Sequence, residues 1–158
     1  MKPKNSPLSL KDIYIIATNV IAIPTPDDYD GEINSFPIDI DFDIYQDEDE
    51  SQFKIVVSVD GNDPENSSPG YCFNIISEGI FILDKDTKIK ASDKDALLSR
   101  SAIPIVLGHI RAHLSSITAS GPYDRYLLPV VDFNDLLHQK EEEQESLEQP
   151  NEPEVKEK

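Results

Sequence analysis

Residues 38–59 read IDIDFDIYQDEDESQFKIVVSV, and the spacing of apolar side chains in that string decides the architecture. From Ile38 to Tyr45, Ile38, Ile40, Phe42 and Ile44 alternate with Asp39, Asp41 and Asp43. A period of two places successive side chains on opposite faces of a strand, so this one has a dry face and a charged face. Phe53–Val59 repeats the pattern with Phe53, Ile55, Val57 and Val59. It then meets Asp60-Gly61-Asn62-Asp63-Pro64, whose residues all favour turns, so a hairpin is expected to follow.

Outward from this pair, Ile13–Ile23 (IYIIATNVIAI) is long and β-branched and is stopped by Pro24 and Pro26. Tyr71–Leu83 (YCFNIISEGIFIL) is the return strand, and Ser77-Glu78-Gly79 at its centre predicts a glycine bulge where it bends. Four antiparallel strands result. Asp84–Arg100 is polar and reads as a loop or short helical turn. Pro104 is placed to open a helix carrying Val106, Leu107, Ile110, Leu114 and Ile117 at spacings of three and four, with Gly121-Pro122 beyond its end. Asp132 is placed to cap a second helix, with Asp135 three residues on and Phe133, Leu136 and Leu137 as its apolar stripe. Strands grouped ahead of helices make an α+β fold, a four-stranded antiparallel sheet followed by two helices.

The 158 residues hold 31 Asp+Glu against 14 Lys+Arg, a net charge of −17. Such a chain is repelled by nucleic-acid phosphates and anionic lipid headgroups, so its partners are expected to be neutral or cationic. The acidity is patched. Eleven acidic residues lie in Asp27–Glu50, which has no Lys or Arg, and eight lie in Gln139–Lys158. The latter patch has only Leu147 and Val155 as branched apolar residues, so we expect one domain over 1–140 and an acidic disordered tail over 141–158. No apolar run reaches membrane-spanning length and the start MKPKNSPLSLKDIY lacks a greasy signal stretch, which predicts a cytoplasmic protein. Cys72 is alone, so an intrachain disulfide is excluded, and its place on a strand beside Phe73 reads as a packed thiol.

No motif for covalent chemistry stands out. His109 and His113 share a helix face, a geometry that can grip zinc, but Ile110 stands where a zinc protease needs its general-base Glu. The acidic runs Asp27–Glu32 and Asp39–Asp43 lack the oxygen spacing of a calcium loop. Asp39, Asp41 and Asp43 share one solvent face with no His or Arg near in sequence. Neither a phosphate-cradling glycine loop nor a serine elbow is present. No enzyme activity, metal or cofactor is therefore expected.

The chain resembles the SecB family of bacterial protein-export chaperones. The resemblance is carried by the Gly-Ile-Phe end of YCFNIISEGIFIL (Gly79, Ile80, Phe81) and by PIVLGHIRAHLSSITASGPYDRYLLPVVDF (Pro104–Phe133). In the latter, Arg111 and Gly121 fall where the family has a helical Arg and a helix-ending Gly, and Leu128, Val131 and Phe133 form a Leu-x-Pro-Val-x-Phe-like entry to the last helix. The resemblance implies an ATP-independent holdase, a homotetramer built as a dimer of dimers that binds unfolded polypeptides, with the first helix between dimers. It makes His109, Arg111, His113 and Ser116 interface candidates and Ile38, Ile40, Phe42, Ile44, Leu127, Leu128, Val130 and Phe133 client-groove candidates. Positions matching the family's acidic docking sites for the motor SecA hold Val20, Pro24 and Asn74, none acidic. Holding clients therefore ranks above motor delivery, and a stand-alone role such as guarding an antitoxin stays open. The alternative is a small α+β ligand-binding domain or enzyme using the crevice between sheet and helices.

Overall fold

The computed structural model describes residues 5–48, 51–63, 65, 67–84 and 90–148. Four strands, β1 (Leu8–Ile23), β2 (Ile38–Gln46), β3 (Gln52–Gly61) and β4 (Gly70–Leu83), precede three helices, α1 (Ala91–Leu97), α2 (Ile103–Thr118) and α3 (Phe133–Glu148). The strands form one antiparallel sheet in the order β1-β4-β3-β2, which leaves β1 and β2 as edges. The alternation read in β3 is the observed one: Phe53, Ile55, Val57 and Val59 are buried, while Lys54 and Asp60 are exposed.

In register, Phe53 pairs with Phe81, Ile55 with Gly79, Val57 with Ser77 and Val59 with Ile75. These rows make a floor on which α2 lies with Ile103, Val106, Ile110 and Leu114 fully buried. Each aliphatic side chain so removed from water contributes roughly 1.5–3 kcal/mol before ordering costs, which makes this contact the main source of stability.

The bulge expected at Ser77-Glu78-Gly79 of β4 is not there. The β3–β4 register runs unbroken from Gln52 opposite Ile82 to Gly61 opposite Phe73, and the irregularities lie in β1, between Leu10 and Asp12 and between Ile15 and Ala17. β4 is paired on both sides and cannot take an extra residue without breaking two ladders, whereas β1 is an edge and can. Gly79 serves packing instead. A Cβ there would come within 2.7 Å of Val106 Cγ2 and 2.8 Å of Phe81 Cε2, so the glycine lets α2 approach the sheet.

Helix α2 does not open freshly at Pro104. Within the segment read as loop or short turn, α1 forms and runs through a π turn (Leu98–Ala102) directly into α2. Proline lacks an amide hydrogen and its ring crowds the carbonyl four residues back. That carbonyl belongs to Arg100, inside the π turn, where the helix is widened. At the far end Gly121 again answers a space requirement. Its amide bonds the Thr118 carbonyl at 2.9 Å, and a Cβ would lie 2.1 Å from the Tyr71 hydroxyl. That buried hydroxyl donates to the carbonyls of Thr118 (3.2 Å) or Asp124 (3.0 Å), tying the end of α2 to the connection that follows.

The tail differs as well. Helix α3 continues to Glu148, so the boundary placed after Lys140 falls inside a helix. Glu, Gln and Lys are good helix formers, and a helix already nucleated by a cap and docked by its first turns propagates through them at little cost. Gln139 donates to Asp135 at 2.8 Å and His138 lies 3.7 Å from Glu141, pairs of the kind that support such a stretch. The remainder of the expected tail, 149–158, lies outside the described residues.

Candidate functional site

The helix-bearing face of the sheet is covered unequally. Over β3 and β4 it is sealed by α2, whereas over β2 the cover is the connection 123–132 and the first half of α3. Asp132 sets the start of α3: its Oδ1 accepts from the amides of Asn134 (3.0 Å) and Asp135 (3.3 Å), the expected cap. Arg111 on α2 sets the connection, donating from Nε to the Leu128 carbonyl (3.2 Å) and from Nη2 to the Pro129 carbonyl (2.9 Å). Tyr126, whose amide donates to Thr118 Oγ1 at 2.9 Å, and Leu128 are buried in the core, while Leu127 and Val130 are 67% and 95% exposed.

Between this cover and β2 run two grooves. The first, about 410 Å³, is lined by Ile38, Ile40 and Phe42 on the strand side and by Pro129, Val130, Val131 and Leu136 opposite. The second, about 720 Å³, continues along the strand past Phe42 and Ile44 to Phe53, with Leu98 and Arg100 from the π turn and Leu137 from α3 as its other wall. Carboxylates line the first groove densely: Asp39, Asp41, Asp132, Asp135 and Glu143 face one ammonium, that of Lys140.

Lys140 stands where the grooves meet and lines both. Its Nζ donates to Asp41 Oδ1 at 2.5 Å, lies 3.9 Å from Asp43 Oδ1, and sits 5.8 Å from the centre of the Phe42 ring. The hydrogen bond it donates to Asp41 holds the ammonium above the usual lysine range, with the charges of Asp41, Asp43 and Glu143 acting in the same sense.

The structure brings Ile38, Ile40, Phe42 and Val130 of the expected client residues to one groove, and Phe42 and Ile44 to its neighbour. Leu128 is only 3% exposed and belongs to the core, with its carbonyl accepting from Arg111. Phe133 packs partly buried against the same core, and Leu127 faces solvent without lining either groove. Pro129, Leu136, Leu137 and Lys140 were missed. The sequence pattern puts Leu136 and Leu137 on the apolar stripe of α3 and Lys140 at the end of the domain; the signal for Lys140 is a cation at the end of that stripe, facing a strand of aspartates.

Of the interface candidates, Arg111 is engaged with its own chain, since α2 lies beside the connection and that connection's carbonyls need donors. His113 Nε2 lies 3.0 Å from Thr18 Oγ1 on β1, and His109 Nδ1 lies 3.2 Å from Ser77 Oγ on β4, so both rings face the chain's own sheet. Ser77 already donates to the Tyr14 carbonyl at 2.8 Å, which leaves the imidazole as donor and the hydroxyl unactivated. Ser116 is exposed. Among the described residues no group of three His, Cys, Asp or Glu is placed to hold a metal ion, and no helix is long and apolar enough to cross a membrane. Cys72 is buried, and burial raises its thiol above the usual range, assisted by the charges of Asp63 and Asp60.

Four antiparallel strands carrying helices on one face, with an acid-rimmed apolar groove along the edge strand, define the class: an α+β protein of SecB-like fold. The structure matches a Mycobacterium tuberculosis SecB-like chaperone solved in complex with a ChAD peptide from an antitoxin. The TM-score is 0.52 at 11% sequence identity, over 79% of this chain and 91% of that one. A protein of unknown function from Streptococcus agalactiae aligns over 78% of this chain and 97% of its own, at 11% identity and a TM-score of 0.40. No family model matches the sequence, and no curated protein does.

Proposed function

We propose that this protein is an ATP-independent holdase that binds unfolded polypeptides in the grooves along β2 and performs no chemistry on them. One observation carries the reading: Ile38, Ile40, Phe42 and Ile44 belong to the same alternating face that is sealed elsewhere, yet here they line grooves, with Phe42 packed into the core at the groove floor, Ile38 and Ile40 half-buried and Ile44 41% exposed. Burying about 400 Å² of such surface against a client is worth on the order of 10 kcal/mol before the cost of ordering the client, which leaves useful and reversible binding. The carboxylates around the grooves keep open apolar surfaces of different molecules apart.

The structural neighbour's complex with an antitoxin peptide supports a polypeptide as the occupant. Holding, including a stand-alone role such as guarding an antitoxin, ranks above delivery to SecA. Of the positions matching SecA docking sites, Val20 packs against the core and Asn74 is bonded to Asp60 at 2.8 Å. A homotetramer, a dimer of dimers in the cytoplasm, fits the free edge of β1, with Leu10, Tyr14, Ile16 and Ile21 exposed along it, and the exposed Ile105 and Ile117 of α2.

The test is suppression of light scattering by an aggregating denatured protein, without ATP, alongside native mass. Complete suppression at near-stoichiometric ratios by a tetramer is expected. A monomer inert in the assay would overturn the proposal.

A further inference from the structure

Strand β2 ends the sheet, and among the described residues its outer side pairs with no other strand. The amide of Phe42 takes Asp41 Oδ1 as its acceptor at 2.8 Å. In an antiparallel ladder, residues whose amides turn away from the partner recur every second position, so Ile40 and Ile44 share this outward orientation with Phe42. Asp41 and Asp43 alternate with these residues and belong to the sheet face opposite α3. To reach them, the Lys140 side chain must cross the open edge from the helix side. One ammonium on α3 thereby lies at the edge and lines both grooves.

We propose that the outer edge of β2 is a seat for one extended client segment added as a fifth strand, and that Lys140 keeps the seat shut until a Lys or Arg of the client replaces it on Asp41 and Asp43. This rests on the holdase reading and states how that site is gated. The nine residues of β2 span about 30 Å at 3.3–3.4 Å per residue, room for one extended segment whose alternate side chains enter the grooves while its backbone pairs with the edge. The exchange is charge for charge: Asp41 gives up the Phe42 amide to the incoming backbone and keeps a cationic partner. A second copy is a poor occupant: its own β2 would bring Asp39, Asp41 and Asp43 against the same residues here.

The test measures binding of a nine-residue peptide alternating valine and serine with one central lysine, its neutral glutamine version, and a version N-methylated at alternate amides. Wild type, Lys140→Met and Lys140→Arg are compared, with circular dichroism establishing that each is folded. Lys140→Met should bind the lysine peptide at least tenfold more tightly than wild type and Lys140→Arg within about twofold of it. N-methylation should abolish the gain. In hydrogen exchange, Lys140→Met should also expose the 133–148 amides. Equal affinities for wild type and Lys140→Met, or undiminished binding of the N-methylated peptide, would overturn the proposal. So would a Lys140→Met variant that gains mass by pairing with itself. Wild type failing in the aggregation assay would remove the holdase reading, while peptide binding and exchange in Lys140→Met still decide the gate.

Discussion

The same face of the same sheet is a sealed core under α2 and an open groove under α3. β2 and β3 alternate identically and their apolar rows are in register, Ile40 beside Val59, Phe42 beside Val57 and Ile44 beside Ile55. Val59, Val57 and Ile55 are fully buried, whereas along β2 Ile38 and Ile40 are half-buried, Phe42 is buried and Ile44 is 41% exposed. The covering helix makes the difference. α2 lays down Ile103, Val106, Leu107, Ile110 and Leu114 over four turns, whereas α3 has Phe133, Leu136 and Leu137 and then turns to Lys140, Glu141 and Gln144. An alternating strand thus announces a surface that must be dry, and its partner decides whether anything dries it.

The largest effect is expected on the sealed side. Ile110→Ala should cost about 3–4 kcal/mol in denaturant unfolding, since the site is fully buried between helix and sheet. A cost below about 1 kcal/mol would mean that the two sides are equally soft. Arg111→Ala should come next, at roughly 2 kcal/mol, because the carbonyls of Leu128 and Pro129 lose a charged donor. It joins the two regions, so it should also weaken client binding, which Ile110→Ala should not do in the folded fraction. Ile44→Ser should change stability by less than about 1 kcal/mol at its 41% exposure and still reduce aggregation suppression. Unchanged suppression would move the client off β2.

The smallest effect is electrostatic. The Lys140 ammonium is held above its ordinary value of 10.5, chiefly by the hydrogen bond to Asp41. A group whose folded value is raised contributes stability that is complete below the unfolded value and lost as the pH climbs through the folded one. Wild type should therefore lose about 0.2–1 kcal/mol relative to Lys140→Met between pH 10 and 12, the range for a partly exposed pair. Parallel pH profiles for the two proteins would show that the clasp carries no weight.

Much of this was legible in the order of residues. The strand pair 38–59, the cap at Asp132 and the stripe of α2 rest on periods and local hydrogen bonds, which neighbours in sequence supply. The bulges of β1 were not, because Gly79 looks like a bulge residue until Val106 is seen packed over it. Nor was the fate of Leu127 and Leu128: adjacent and chemically identical, they end 67% and 3% exposed on a connection held by bonds to another element, from Arg111 to the Leu128 carbonyl and from the Tyr126 amide to Thr118.

By itself, the amino-acid sequence determined that this chain makes alternating strands followed by amphipathic helices under a coat of carboxylates, since periodicity and charge are properties of near neighbours. Only the tertiary structure decided which part of the apolar face stays open and that Lys140 reaches over the edge of β2 to Asp41. Those outcomes depend on how much apolar surface a distant helix brings to the sheet, and no period along the chain encodes that.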